Sequence, residues 1–212
     1  MPPPNLAHLQ ADPASLLTWL NNNMLLGGYL ANVVDPQGLA WVTMLPPPAI
    51  PYPAHADDGA GQAIDVYALR SNGAGVADSV RAYVCNYTAG DVESVVLGSL
   101  ADYCFTTNLN GCSFGVGPMA PNGTRQVSHA NTGGATTQQR TQTWTEHHVA
   151  ANSTTISMLE PAEYRRLGGG ASLQATVFGI RTGRQWRFYY QSYTAAGQGH
   201  FVVHGVIPIR TP

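Results

Sequence analysis

The chain contains no lysine. All 10 of its basic residues are arginine, set against 12 acidic residues, for a formal net charge of −2. Charged residues make up 10% of the 212 positions, well under the roughly 25% of an average globular protein. So little positive charge leaves no electrostatic footprint for nucleic acid, and no basic amphipathic stretch marks a membrane surface helix. No apolar run approaches the ~20 residues that span a bilayer. Met1-Pro2-Pro3-Pro4-Asn5 has neither the basic nor the apolar region of a Sec-type signal peptide. Two explanations of the missing lysine stand side by side. A GC-rich genome favours arginine codons, and a lysine-free surface offers no amine for ubiquitin. The second suits a protein secreted, or delivered to a host cytosol, without a Sec-type signal.

Cysteine is also scarce. Cys85, Cys104 and Cys112 are the only three. An odd count leaves a free thiol, and no disulfide framework is spaced here. What the chain has instead is 44% hydrophobic residues, 23 glycines and 15 prolines. That is enough apolar material for one buried core, so residues 1–212 are expected to form one domain.

Asp12-Pro13 is a helix start, an Asp cap with Pro at the first helical position. Leu16, Leu17 and Leu20 follow at helical spacing, and Asn21-Asn22-Asn23 ends the helix. Leu25 to Val34 and Leu39 to Leu45 read as a hairpin about Asp35-Pro36-Gln37-Gly38. The proline-rich stretch Pro46 to Pro53 cannot join a central strand. His55, Asp57 and Asp58 after it admit a metal reading, but a solvated loop is the better one. Ala63 to Leu69, Val80 to Asn86 and Leu100 to Thr106 are strands, with a turn at Ser71 to Gly75. Asp91 to Leu97 fits either a short helix or a strand. Gly115, Gly117, Pro118, Pro121 and Gly123 read as loop, and strand character returns near Val127. Asn131 to Thr143 is Gly-, Thr- and Gln-rich and reads as an irregular loop. In Glu146-His147-His148 the adjacent histidines would face opposite ways on a strand, which argues against chelation of one ion.

Glu160-Pro161 opens a short helix to Arg166, closed by Gly168-Gly169-Gly170. Ser172 to Ile180 and Gln185 to Tyr193 form a hairpin, with Trp186, Phe188 and Tyr190 on one face. A last strand runs from Phe201 to Ile209, and His200 and His204 sit on one polar face. Many short strands, few helices and Gly/Pro-rich turns predict an α+β chain. Its core would be a β-sandwich of mixed and antiparallel sheets, with a few flanking helices and long loops. A mixed sheet with helices on one face, or a closed barrel, are the alternatives.

The chemistry centres on Thr106-Thr107-Asn108-Leu109-Asn110-Gly111-Cys112 and His129. A thiol on the turn after one strand and an imidazole on the next can meet in space, which is the minimum for a thiolate nucleophile and its base. Cys112 would be the nucleophile and His129 the base. Gly111 would let the backbone approach, so that the Cys112 N–H and its neighbours, Asn110 among them, face the oxyanion. Thr106, through its hydroxyl or its carbonyl, would orient the imidazole. Cys85 and Cys104 look like core thiols.

This segment resembles the Thr-then-Leu-Ser-Gly-Cys motif of the Burkholderia lethal factor-like glutamine deamidase toxins. That family is related in fold to the catalytic domain of cytotoxic necrotizing factors and to the chemotaxis deamidase. Gly179-Ile180-Arg181-Thr182-Gly183-Arg184-Gln185 supplies a second match. The resemblance implies a catalytic Cys112, His129 and Thr106, a β-sandwich flanked by helices, and no cofactor or metal. It implies a host protein glutamine as substrate, in the family a translation-initiation RNA helicase, and hence a toxin that inhibits translation. The protein would act as a monomer on that partner, not on nucleic acid or membrane. Asn110 stands where the family has Ser. Pro118 to Gly123 looks like an insertion that would border the active site. A transglutaminase of the same chemistry, or a silent β-sandwich binding module with an inert Cys112, are the competing readings.

Overall fold

The computed structural model describes residues 13–30, 34–47, 53–72, 77–131, 157–166 and 173–212. Helix α1 (Pro13–Leu20) leads into β1 (Asn23–Leu26) and a 3-10 turn at Gly27–Tyr29. Strands β2 (Leu39–Leu45), β3 (His55–Asp57), β4 (Ala63–Asn72), β5 (Val80–Cys85), β6 (Val92–Leu97) and β7 (Tyr103–Thr106) follow. Then come β8 (Ser113–Met119), β9 (Arg125–Ala130), β10 (Ser157–Leu159), α2 (Pro161–Arg165), β11 (Leu173–Thr182), β12 (Gln185–Gly197) and β13 (His200–Ile209).

The architecture corrects the expected α+β sandwich. Strands β4-β2-β5-β7-β11-β12-β13-β3 pair in that order, and β3 returns to β4, so eight strands close into a barrel. The closing piece is the three-residue β3. His55 registers with His200 in a parallel pairing, and Ala56 with Ile64 in an antiparallel one. This removes two sheet edges that a sandwich would leave open. The signal is weak in the sequence, because β3 is short and follows the proline-rich stretch. The loop expected at His55 to Asp57 is therefore a strand. A second, antiparallel sheet of order β10-β8-β9-β6 lies apart from the barrel ladder.

Side-chain alternation explains how the layers join. Trp186, Phe188 and Tyr190 of β12, with Cys104 and Val177, pack against Val95, Leu97, Phe114, Val116 and Val127 of the second sheet. Tyr103, Phe105, Phe178 and Ile180, on the other face of the same barrel strands, join Leu16 and Leu20 of α1. Strands buried on both faces lose polar alternation. Tyr-Cys-Phe-Thr of β7 is buried at every position.

Two further expectations change. β1 pairs in parallel with β4, Met24 opposite Val66, and makes no hairpin with β2. The turn itself forms: Asp35 Oδ1 accepts the Gln37 and Leu39 N–H groups at 2.9 Å each. However, the 3-10 turn at Gly27 ends the strand that should have entered it. The stretch after Cys112 is not loop but strand β8, antiparallel to both β9 and β10. Its Gly115 and Gly117 hide a buried strand whose Phe114 and Val116 drive packing. The register shifts between Val116 and Met119, where Pro118 has no N–H to give the ladder. Pro118 to Gly123 thus forms the far end of the β8–β9 hairpin, about 20 Å of strand from Cys112, and does not border it. Leu173–Thr182 and Gln185–Gly197 do form the expected hairpin, β11 with β12. Glu146-His147-His148 lies outside the described residues.

Gly179 tests the barrel packing. A Cβ there would stand 2.7 Å from the Phe188 ring and 3.2 Å from the Cys104 Cβ. Gly179→Ala should cost about 1–3 kcal/mol through overpacking, lowering Tm by several degrees in thermal denaturation. An unchanged Tm would contradict this packing.

Candidate functional site

The site forms where the second sheet meets the barrel. Thr107 and Asn108 leave the end of β7, Cys112 immediately precedes β8, and His129 lies near the end of β9. In the β8–β9 ladder Phe114 is directly opposite His129. Cys112 stands two residues before Phe114; an extension of the ladder by one residue would set it diagonal to the imidazole, with Cβ atoms about 7 Å apart. A cleft of about 390 Å³ is lined by Gly28, Tyr87, Thr107, Asn108, Asn110 and Cys112, among others. Clefts of roughly 300–1,000 Å³ are those that take small ligands or side chains.

Cys112 is 7% exposed. Burial pushes its thiol pKa up, while the Asn110 backbone hydrogen bond pulls it down, so the resting group is the thiol. Cys85 and Cys104 are held further above the ordinary thiol range by burial. Both lie in the seam between the two sheets, as expected of core thiols.

His129 is fully buried. Burial lowers its pKa to about 4, so it is neutral at pH 7 and able to accept a proton. Its Nδ1 lies 3.4 Å from the Thr107 hydroxyl. Its Nε2 is buried, with no hydrogen-bond partner among the described residues. The Tyr87 ring stands 5.7 Å away, centroid to centroid. Glu93 is opposite His129 on β6, but its carboxylate accepts the Thr88 hydroxyl.

Thr106 does not reach the imidazole. Its hydroxyl donates to the Thr107 carbonyl at 2.8 Å, and its own carbonyl faces Gly27, where a Cβ would sit 2.3 Å away. The next residue, Thr107, is the one beside His129. Strand alternation explains the offset: Thr106 still pairs with Cys85 in the barrel, whereas Thr107 has left the strand and turns toward the second sheet.

Gly111 has φ +86, a left-handed conformation that glycine adopts without a Cβ clash. Its N–H donates to the Tyr164 hydroxyl at 2.8 Å, and that hydroxyl donates to the Cys112 carbonyl at 3.1 Å. The Gly111 N–H is therefore engaged, not offered to an oxyanion. Tyr164, fully buried on α2, clamps both sides of the Gly111-Cys112 turn. The helix is fixed by reciprocal bonds between Glu160 and Glu163, and Glu160 also accepts the Ser113 hydroxyl at 3.0 Å. Glu160-Pro161 reads as a helix start from its residues alone, with nothing local that links it to Cys112.

The other described histidines stand elsewhere. His200 Nε2 pairs with Asp57 Oδ2 at 2.7 Å, and His55 stacks on His200. His204 Nε2 meets the Thr194 hydroxyl at 2.7 Å. Among the described residues no cluster of His, Cys, Asp or Glu is arranged to hold a metal.

Two outcomes follow from these contacts. The His129 pKa is depressed on folding, so the unfolded state binds the extra proton as pH falls. The stability it contributes is complete above about pH 6.5 and is lost between there and about 4, at up to about 1.4 kcal/mol per pH unit. Denaturant unfolding of His129→Gln should lack this component, and parallel pH curves for variant and wild type would contradict the burial. Tyr164→Phe removes the hydroxyl that both Gly111 and Cys112 use. It should cost about 1–3 kcal/mol and speed amide hydrogen exchange at Gly111; unchanged exchange would exclude the clamp.

No family model matches the chain, and no curated protein matches it.

Proposed function

We propose that the chain is a protein-glutamine deamidase that uses Cys112 as nucleophile and His129 as base, and that it acts as a toxin or effector on a host protein. The observation that carries this reading is a thiol at the wall of a cleft, two residues ahead of the Phe114 that faces His129, together with a neutral imidazole whose Nε2 has no partner among the described residues. The resemblance of the Thr106 to Cys112 segment supplies the substrate class, and the family's translation-initiation helicase is the first target to test.

In this mechanism a glutamine side chain enters the cleft. Cys112 Sγ attacks the amide carbon while its proton passes to His129, and the carbonyl electron pair moves to oxygen. The C–N bond then breaks as His129 returns the proton to nitrogen, releasing ammonia and leaving a thioester. Water attacks the thioester, His129 takes its proton, and the Cys112 thiol leaves protonated. The product is glutamate. Neutral resting groups suit this order, because His129 gains its charge only as the thiolate forms. The Thr107 hydroxyl, beside Nδ1, takes the orienting role that was expected of Thr106.

An amine in place of water would give a cross-link, so a transglutaminase differs only in the second step. The inert binding module keeps one specific support, the burial that raises the Cys112 pKa.

The test is peptide mass spectrometry of host proteins, with ammonia release measured in parallel. Wild type should convert one glutamine to glutamate, and Cys112→Ser should lose the activity by at least about 10⁴-fold at unchanged Tm. Incorporation of an added primary amine instead would assign a transglutaminase. A Cys112→Ser protein that retains activity would refute the nucleophile. Thr107→Val should lower kcat on the order of 10–100-fold by letting the imidazole turn, with Thr106→Val affecting it less. The reverse ranking would return the orienting role to Thr106.

A further inference from the structure

We propose that the side-chain amide of Asn108 is the oxyanion donor of this cleft, its Nδ2–H hydrogen-bonding the acyl oxygen as Cys112 attacks. The proposal rests on the reading of Cys112 as an acyl-transfer nucleophile and names the group that would stabilise the charge it creates.

The orientation of Asn108 is set by its other end. The Gly27 N–H donates to Asn108 Oδ1 at 2.7 Å, and an N–H donor cannot pair with an NH₂ group, so the oxygen must be the atom turned to Gly27. The Thr176 hydroxyl lies 3.0 Å from the same oxygen and 2.9 Å from the Leu25 carbonyl, sharing its proton between them. With Oδ1 anchored in the barrel wall, Nδ2 is the atom left on the cleft side, where Asn108 and Cys112 both line the cavity. It lies over Gly28, where a Cβ would come 3.3 Å from Nδ2. The Gly27-Gly28 pair thus has two tasks. The first glycine lets its N–H reach Oδ1 while clearing the Thr106 carbonyl, and the second leaves space above Nδ2.

The same geometry takes away one backbone donor. The Gly111 N–H, the obvious backbone donor beside the nucleophile, is bonded to Tyr164. A donor held by its far end needs no reorganisation when charge develops, the condition under which such groups contribute most.

The test compares two reactions of the same thiol in the full chain. Acetyl transfer from p-nitrophenyl acetate forms the S–C bond through a tetrahedral oxyanion and expels p-nitrophenolate. Alkylation by iodoacetamide forms an S–C bond by displacing iodide, with no oxyanion. Asn108→Asp keeps an oxygen for Gly27 and Thr176 but has no N–H. Asn108→Ala serves as the second variant, and thermal unfolding checks each fold. The ratio of acylation to alkylation at Cys112 should fall ~10²–10³-fold in both variants. A ratio unchanged within about threefold would overturn the proposal, as would a wild-type Cys112 that alkylates but never acylates. An Asn108-dependent ratio with no ammonia from any protein glutamine would leave the oxyanion donor standing and remove the deamidase. Ammonia release with an unchanged ratio would do the opposite.

Discussion

The apolar seam between barrel and second sheet is the contact on which the site depends. Phe114, Val116 and Val127 on one side meet Trp186, Phe188 and Tyr190 on the other. Each such side chain, fully buried, contributes about 1.5–3 kcal/mol, so the two sheets are held as one body. Thr107 and Asn108 belong to the barrel end of that body, and Cys112 and His129 to the sheet end. Neither half has the whole equipment. The seam brings a thiol, a hydroxyl and an amide to one cleft, with the imidazole buried beside the hydroxyl of Thr107.

Burial at the seam also sets the chemistry. The desolvation that fixes the core raises the Cys112 thiol and lowers the His129 imidazole, so both rest uncharged. In the proposed reaction such a pair holds no standing thiolate, and proton transfer accompanies attack on the substrate. Charge then appears inside a cleft with low dielectric, where a fixed donor is worth more than in water. Tyr164 and Gly111 fix the turn that carries the nucleophile, while Gly27 and Asn108 fix the opposite wall.

Much of this was legible in the sequence at short range. Cys112 stood out because Gly111 precedes it, and His129 because strand pattern resumes at Val127. The β11–β12 hairpin showed itself through alternating Trp186, Phe188 and Tyr190. What failed was long-range. Barrel closure depends on the three residues of β3, too few to show a period. Strand β8 was hidden by Gly115, Gly117 and Pro118, whose low strand propensity is overridden by the burial of Phe114 and Val116. The sequence pattern points to Thr106, and only tertiary structure reveals where β7 releases the chain and sets Thr107 beside His129. Asn108 and Tyr164 carried no local mark, since each acts through partners on other elements. The doublet Gly27-Gly28 was the one visible trace of the wall they build.

The central claim is that Cys112 is a neutral thiol that reaches the cleft wall at 7% exposure, where Cys85 and Cys104 in the same apolar cluster stand at 1%. The measurement that tests it most directly is the pH–rate profile of thiol modification in the native protein, mapped residue by residue. Cys112 alone should react, with a rate that keeps climbing through the alkaline range and shows no plateau near neutrality. Modification of Cys85 or Cys104 at a matching rate, or a plateau between about pH 5 and 7 marking a standing thiolate–imidazolium pair, would contradict the account.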